Sequence, residues 1–292
     1  MKTPIIAGID FSAASPFVLR HAVDVAAHLG VPVVAVHVLD AGSMARWASG
    51  GGDNSRVEMI SSKAREKLET LVKTHAPGAE VISEIRIGKA ADELQNLVTE
   101  HSASLLIIAA NDLTKNRLGS IASRCVRNLD CDVLVVRDWQ EGNFDKIGVC
   151  TDFSPTSTRA LERGIELATV NGASLEIVHV IYPPELDPWG ESMNQAMDAE
   201  TPYSDECRAL AKRQMKKFLA PYEEVLAKLR HEEVILESEA AAIALTSHFR
   251  AVGTDLVVLG THRLSRVAGF FVGTNAENLL HEATVSVLAV RD

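Results

Sequence analysis

Only four cysteines occur in the 292 residues, and none forms a C-x-x-C pair. Cys125, Cys131, Cys150 and Cys207 therefore supply neither a disulfide framework nor a thiolate metal site, and reduced, packed thiols are expected. No apolar run reaches the ~18 residues that would span a bilayer, and Met1-Lys-Thr-Pro4 opens without the apolar stretch of a signal peptide. These absences predict a cytoplasmic protein with no membrane partner. A basic excess is missing too: Lys and Arg number 29 against 39 Asp and Glu, a net charge of −10. Nucleic acid is excluded as a partner on that ground, because affinity for its backbone rests on a basic face. A small anion is not excluded, since bulk charge is screened beyond ~8 Å.

What the chain does contain is a repeat. Ile6-Ala-Gly-Ile-Asp10-Phe-Ser-Ala-Ala-Ser15 returns as Gly148-Val-Cys-Thr-Asp152-Phe-Ser-Pro-Thr-Ser157, and Val36-His37-Val38 returns as Val178-His179-Val180. One offset serves both, 152 − 10 = 142 and 179 − 37 = 142. The ends repeat as well, with Val135-Val-Arg-Asp138 against Ala289-Val-Arg-Asp292 at 292 − 138 = 154. Two copies of one domain, residues 1–140 and 141–292, fill the chain, and each is long enough to bury its own core. A hydrophobic content of 47% with 23% charged residues fits globular domains. The acidity is uneven: the first copy balances 15 basic against 16 acidic residues, the second 14 against 23, or 14 − 23 = −9.

Inside the first copy, Pro4–Ile9 reads as strand and Pro16–Gly30 as helix, with Ser15 as the expected N-cap, Pro16 at the first turn and Gly30 as the stop. Val31–Leu39 is a strand, Ala41–Asn54 a polar glycine-rich loop and Ser55–Thr74 a charged helix. Glu80–Ile87, Ala90–Glu100, Ser104–Ala110, Ile121–Asn128 and Asp132–Val136 complete the copy as strand, helix, strand, helix, strand. The second copy follows suit: Lys146–Thr151, Thr158–Val170, Ala173–Ile181, a long loop, Ser204–Arg230, Glu233–Leu236, Ala240–Ala251, Asp255–Gly260, Asn275–Glu282 and Val285–Val290. Unbroken apolar strands such as Leu105–Ile108 and Leu256–Leu259 imply sheets covered on both faces. Strand and helix in alternation imply an α/β fold with doubly wound parallel sheets. Such sheets take ligands outside the carboxyl ends of their strands.

After the first strand of each copy stand Asp10 and Asp152, carboxylates that either accept hydrogen bonds from a base or ribose, or shape the turn. After the fourth strand of the second copy comes Gly260-Thr-His-Arg263, then Leu264–Val272, then Gly273-Thr274 before a helix. Bare amides, a helix start and a hydroxyl together suit a phosphate. The first copy has Ala109-Ala110-Asn111 instead. From Ala110 to Gly119 is 9 positions, against 13 from Gly260 to Gly273. A loop so shortened cannot wrap a triphosphate in the same way, and Gly119-Ser120 reads as a helix cap. His37 and His179 read as packed histidines. The Lys212-Arg213, Lys216-Lys217 cluster reads as a solvated face. The segment Pro183, Pro184, Pro188, Trp189 is a lid or a surface flap.

On these residues the chain resembles the universal stress protein family. Nucleotide-binding members of that family carry G-x-x-G-(nine residues)-G-[S/T] after the fourth strand and an Asp after the first. Gly260, Gly273 and Thr274 match, with Leu264–Val272 as the spacer, and the likeness runs through both copies. It implies two tandem five-stranded sheets of the adenine nucleotide alpha hydrolase type, in the flavodoxin-like order 3-2-1-4-5. It also implies ATP or another adenine nucleotide, possibly with Mg2+, in the second copy. Asp152 and the backbone near Val180 would hold adenine and ribose, and Gly260, Thr261, His262, Arg263, Gly273 and Thr274 would surround the phosphates. Arg263 stands where the motif has its second glycine, and its side chain either fills the phosphate space or clamps the phosphates.

No Walker-type lysine, acid pair or nucleophile–base pair accompanies the loop, so no catalysis, or very slow hydrolysis, is expected. The alternative is an interaction scaffold that needs no nucleotide. An adenylyl-transferring enzyme is disfavoured, because Asp-Phe-Ser replaces the histidine-rich loop such enzymes need after strand one. Finally, the resemblance implies that Asp132–Arg137 and Val285–Arg291 lie side by side, because single-copy members commonly dimerise through the closing strand; the result would be an internal pseudo-dimer across the linker Trp139–Asp145, hiding two strand edges. A homodimer of the whole chain is compatible with this.

Overall fold

A computed structural model describes residues 3–49, 54–110, 119–137, 144–187, 192, 202–261, 278–280 and 283–292. The described chain divides into two compact units. The first holds the described residues from 3 to 137 and 286–291; the second holds those from 144 to 285, with Asp292.

In the first unit, β1 (Ile5–Gly8), β2 (Val33–Asp40), β3 (Val81–Gly88), β4 (Leu105–Ala109) and β5 (Asp132–Val136) line up as β3-β2-β1-β4-β5. All four pairings are parallel, in registers such as Ile5↔Val33, Ile5↔Leu105 and Leu106↔Val133. Every residue of β5 is buried, as are Ile5–Ala7 and Val33–Val36, which is why these strands read as continuous apolar runs. Each large aliphatic side chain so buried contributes about 1.5–3 kcal/mol. The edge strand β3 is more exposed and carries Glu84 and Arg86, an edge blunted by charge.

Helices α1 (Ser15–Leu29), α2 (Ala41–Ser49), α3 (Asn54–His75), α4 (Ala90–His101) and α5 (Ser120–Asn128) connect the strands. Gly30 ends α1 in the left-handed conformation, as expected. Two expectations change here. The Ala41–Asn54 stretch is not all loop: the Asp40 carboxylate accepts from the Ser43 amide at 2.8 Å and hydroxyl at 2.7 Å, satisfying a donor that a helix start leaves over. Nor is Ser15 the cap of α1. That place falls to Ala14, and the Ser15 hydroxyl donates to Asp10 Oδ1 at 3.0 Å.

β10 (Ser286–Arg291) lies antiparallel on β5, with Val287↔Val135, Leu288↔Leu134 and Ala289↔Val133. Because 134 + 154 = 288, the pair is centred on equivalent leucines of the two repeats. Its two anchors are equivalent as well. The Arg137 amide donates to Ser286 Oγ at 3.1 Å, and the Arg291 amide donates to Asp132 Oδ1 at 2.9 Å. The register is thus self-complementary in the two repeats.

In the second unit, β6 (Lys146–Cys150), β7 (Ser174–Ile181), β8 (His231–Glu237) and β9 (Leu256–Thr261) run parallel in the order β9-β6-β7-β8. Helices α6 (Pro155–Asn171), α7 (Tyr203–Leu219), α8 (Glu223–Leu226) and α9 (Ala241–Val252) pack on them. The single helix expected over Ser204–Arg230 is interrupted: a 3-10 turn, Ala220–Tyr222, separates α7 from α8. Pro221 is the cause, because its ring and missing N–H cannot continue the ladder. The four cysteines are free thiols, and Lys212, Arg213, Lys216 and Lys217 are exposed. Among the described residues no helix is long and apolar enough to cross a membrane.

Candidate functional site

In the second unit the crevice begins where β6 gives way to α6. Pro155 opens the helix and Ser154 caps it, its hydroxyl accepting from the Ser157 amide at 3.2 Å. Between strand and cap stand Thr151, Asp152 and Phe153. Asp152 is exposed at the mouth, and its Oδ1 accepts from the Ser154 amide at 3.0 Å. Burial pushes its carboxyl up, but hydrogen bonds from the Ser154 hydroxyl and amide, and from Ser157, hold it below the usual aspartate range. It is an ionised acceptor at neutral pH.

β6 pairs with β7 on one side and β9 on the other, through Cys150↔Val178 and Val149↔Val258. The carboxyl ends of three strands are thus neighbours, which brings Asp152, Val180 and Gly260-Thr261 to one end of the sheet. Val180 is half-buried near the end of β7, and Thr261 is buried. A Cβ on Gly260 would stand 2.7 Å from Thr156 Cγ2 and 3.0 Å from the Thr156 carbonyl carbon and oxygen. The first glycine of the loop is therefore required by the approach of β9 to the first turn of α6. His262, Arg263, Gly273 and Thr274, with the spacer Leu264–Val272, lie outside the described residues. Beside the turn, burial pushes the Cys150 thiol up to about 12, so it is protonated at neutral pH.

The segment leaving β7 is tied down in its described part. Pro184–Leu186 forms a 3-10 turn, and Arg208 bridges Glu185 to Glu237, reaching the latter at 2.6 Å. Tyr203 donates to Asp187 at 2.7 Å. Pro188 and Trp189 lie outside the described residues.

The first unit repeats the turn with different surroundings. Asp10 Oδ1 accepts from the Ser12 amide at 2.9 Å and from the Ser15 hydroxyl. A cleft of about 200 Å³ opens beside it, lined among others by Asp10, Val38, Ile108, Gly119 and Ser120. Gly119 occupies the N-cap of α5, and its carbonyl accepts from the Ser123 amide at 2.9 Å. Ala110 is buried, its amide bonded to the Val136 carbonyl at 2.9 Å.

Sequence reasoning treated one pair of residues too lightly. Phe11 and Phe153 have φ of 61° and 64°, a left-handed conformation that costs a bulky residue on the order of 1–3 kcal/mol. Each ring lies 4.2 Å, centroid to centroid, from the imidazole of His37 or His179. The histidines are packed, as expected, with Nδ1 donating to the carbonyl of Ile9 at 2.7 Å or Thr151 at 2.8 Å. Recurrence of both Phe and His at the same offset was the available signal, since 153 − 11 and 179 − 37 both equal 142.

Known proteins fit this geometry. The sequence model of the universal stress protein family matches residues 1–137 and again 143–291. A universal stress protein of Mycolicibacterium smegmatis is 25% identical over 301 residues, spanning 98% of this chain and 96% of that protein. Among solved structures, a functionally unknown protein from Pseudomonas aeruginosa PAO1 has a TM-score of 0.69 at 15% identity, covering 99% of this chain and 92% of its own. A universal stress protein from Archaeoglobus fulgidus DSM 4304 has a TM-score of 0.64 at 18% identity, covering 99% and 96%. Two matches of one family model, end to end along a chain that folds as two parallel-sheet units, leave a single conclusion: the chain is a tandem member of the universal stress protein family.

Proposed function

We propose that the second copy binds ATP or another adenine nucleotide across the carboxyl ends of β6, β7 and β9. Asp152 and the backbone near Val180 receive adenine and ribose. Gly260, Thr261, His262, Arg263, Gly273 and Thr274 surround the phosphates, with Mg2+ as counterion. The observation that carries this reading is the adjacency of β6 and β9. It sets an ionised, hydrogen-bonded Asp152 beside the strand from which the Gly260…Gly273-Thr274 spacing departs. The protein acts as a cytoplasmic, nucleotide-responsive stress protein, with turnover absent or very slow; the protonated Cys150 thiol adds no nucleophile. The self-complementary pairing of β5 and β10 supports an internal pseudo-dimer of the two sequence copies, 1–140 and 141–292.

A second reading, an interaction scaffold without nucleotide, draws support from Gly260. Its contact with Thr156 accounts for the glycine with no ligand present. Thermal unfolding with magnesium-ATP separates the two. At one hundred times its Kd, the nucleotide stabilises the folded state by about 2.7 kcal/mol. We expect an upward shift of Tm in the wild type that disappears in Gly273→Asp. No shift at millimolar ATP favours the scaffold.

A further inference from the structure

The turn after the first strand repeats one feature in both copies, although in the second the Phe153 amide also donates to Thr151 Oγ1 at 3.0 Å, where the first copy has Ile9. In each copy the residue following the crevice aspartate is a left-handed phenylalanine whose ring rests on a histidine, tilted by 35° in one copy and 38° in the other. The histidine is fixed in turn by a strand-end carbonyl. A third side chain also meets each phenylalanine. The Lys67 ammonium lies 4.4 Å from the Phe11 ring centroid, and Phe218 of α7 meets Phe153 edge-on at 5.5 Å. Phe11 packs as well against the cluster of Leu39, Met44 and Ala64. A bulky residue stays left-handed only where its surroundings over-determine it. The consequence falls on the preceding residue. With this turn, the amide two positions on points back at the aspartate, giving Ser12 to Asp10 at 2.9 Å and Ser154 to Asp152 at 3.0 Å.

We infer that Phe153, held by His179, is a positioning residue that fixes the Asp152 carboxylate for the donor groups of the nucleoside. This rests on the nucleotide reading of the second copy. Were the ring not stacked, residue 153 would relax out of the left-handed region, the Ser154 amide would leave the carboxylate, and Asp152 would sample several orientations. A carboxylate locked in one orientation selects neutral donors, such as an exocyclic amine or ribose hydroxyls, without an ordering cost at binding. The clasp of Phe11 and His37 is an internal control, because it recurs in the copy whose fourth-strand loop is shorter: the strand registers match Gly260 to Ala109, so 10 positions lead to Gly119 against 13 from Gly260 to Gly273, and 13 − 10 = 3.

Calorimetric titration with magnesium-ATP tests this in wild type, Phe153→Ala, Phe153→Tyr and Phe11→Ala. Losing the aromatic contact and the turn it holds should raise Kd about fivefold to tenfold in Phe153→Ala. Phe153→Tyr should stay near wild type, and Phe11→Ala should lower Tm comparably while leaving Kd unchanged. A second readout needs no nucleotide: an NMR pH titration of the Asp152 carboxyl, expected below the ordinary aspartate range in wild type and Phe153→Tyr and raised in Phe153→Ala. Should Phe153→Ala fail to fold, His179→Gln removes the stack while its amide can still donate to Thr151, and it carries the same expectation. The inference is overturned if Kd and the Asp152 titration both stay at wild-type values when the stack is broken, or if Phe11→Ala weakens binding equally. A wild type blind to ATP refutes the nucleotide reading, and the Asp152 titration then decides the clasp by itself.

Discussion

The two crevices share one turn and differ at the neighbouring strand. After β1 and after β6 the chain makes the same aspartate-centred turn, with the same left-handed phenylalanine on the same histidine. After β4 and β9 the copies part. Gly260 lets β9 press on Thr156, whereas the strand registers put Ala109, not the Ala110 from which the loop was counted, at that place in the first copy, and Ala14 at the place of Thr156, since 156 − 142 = 14. The turn therefore belongs to the packing of the domain, and the chemical distinction between the copies resides in the loop that leaves the fourth strand. A carboxylate at a strand end is a shared framework; the segment beside it makes the difference.

The sharpest way to break this comparison is steric. Gly260→Ala should cost about 3 kcal/mol, because the new methyl meets both the side chain and the backbone of Thr156. Thr156→Ala should restore only part of that loss. Ala109→Gly in the other copy should cost at most about 1 kcal/mol, the backbone-entropy effect alone. Urea unfolding of the three variants measures the contrast, and equal losses at 109 and 260 would erase it.

A second contrast lies in the first helices. In α1, burial first and then the neighbouring Arg20 push the His21 imidazole from 6.5 down to about 4. Folded His21 stays neutral while the unfolded chain takes up a proton. Stability is thus full above about 6.5 and declines as pH falls toward 4, by about 3 kcal/mol. His21→Leu should flatten that part of the stability–pH curve. The equivalent place in α6 is Arg163, charged throughout and paired with Glu166 at 2.8 Å, and its substitution should leave the slope as it is.

The smallest effect separates the two serines before these helices. Ser154→Ala removes a true N-cap and should cost about 1 kcal/mol. Ser15→Ala removes only a part-buried hydrogen bond donated to Asp10 and should cost about 0.5 kcal/mol, the low end for such a bond. Thermal unfolding resolves the two, and a larger loss at Ser15 would reverse the assignment of the caps.

These contrasts also mark where reading the sequence stops. Strands such as Leu105–Ala109 and Asp132–Val136 are visible as apolar runs because a sheet covered on both faces leaves no polar position within them. The crevice aspartates were visible because they repeat at a single offset. The helix Ala41–Ser49 was not, since its support is a capping contact from Asp40 to Ser43 and its composition looks like a loop. Likewise, Ser15 and Ser154 occupy equivalent-looking positions before a proline, yet hydroxyl partners decide which one caps. The packing demand at Gly260 was hidden entirely, because a glycine in a loop motif invites a ligand-based explanation.

Local chemistry written in the residue order settled the repeat and the alternation of strands and helices. Periodicity and apolar runs suffice for these, since they need no knowledge of distant neighbours. Three-dimensional contact was required for the backbone sign at Phe11 and Phe153, for the pressure of Thr156 on Gly260, and for the register in which β5 meets β10. Each depends on groups far apart in the chain meeting at van der Waals or hydrogen-bond distance, and such meetings leave no mark on either residue alone.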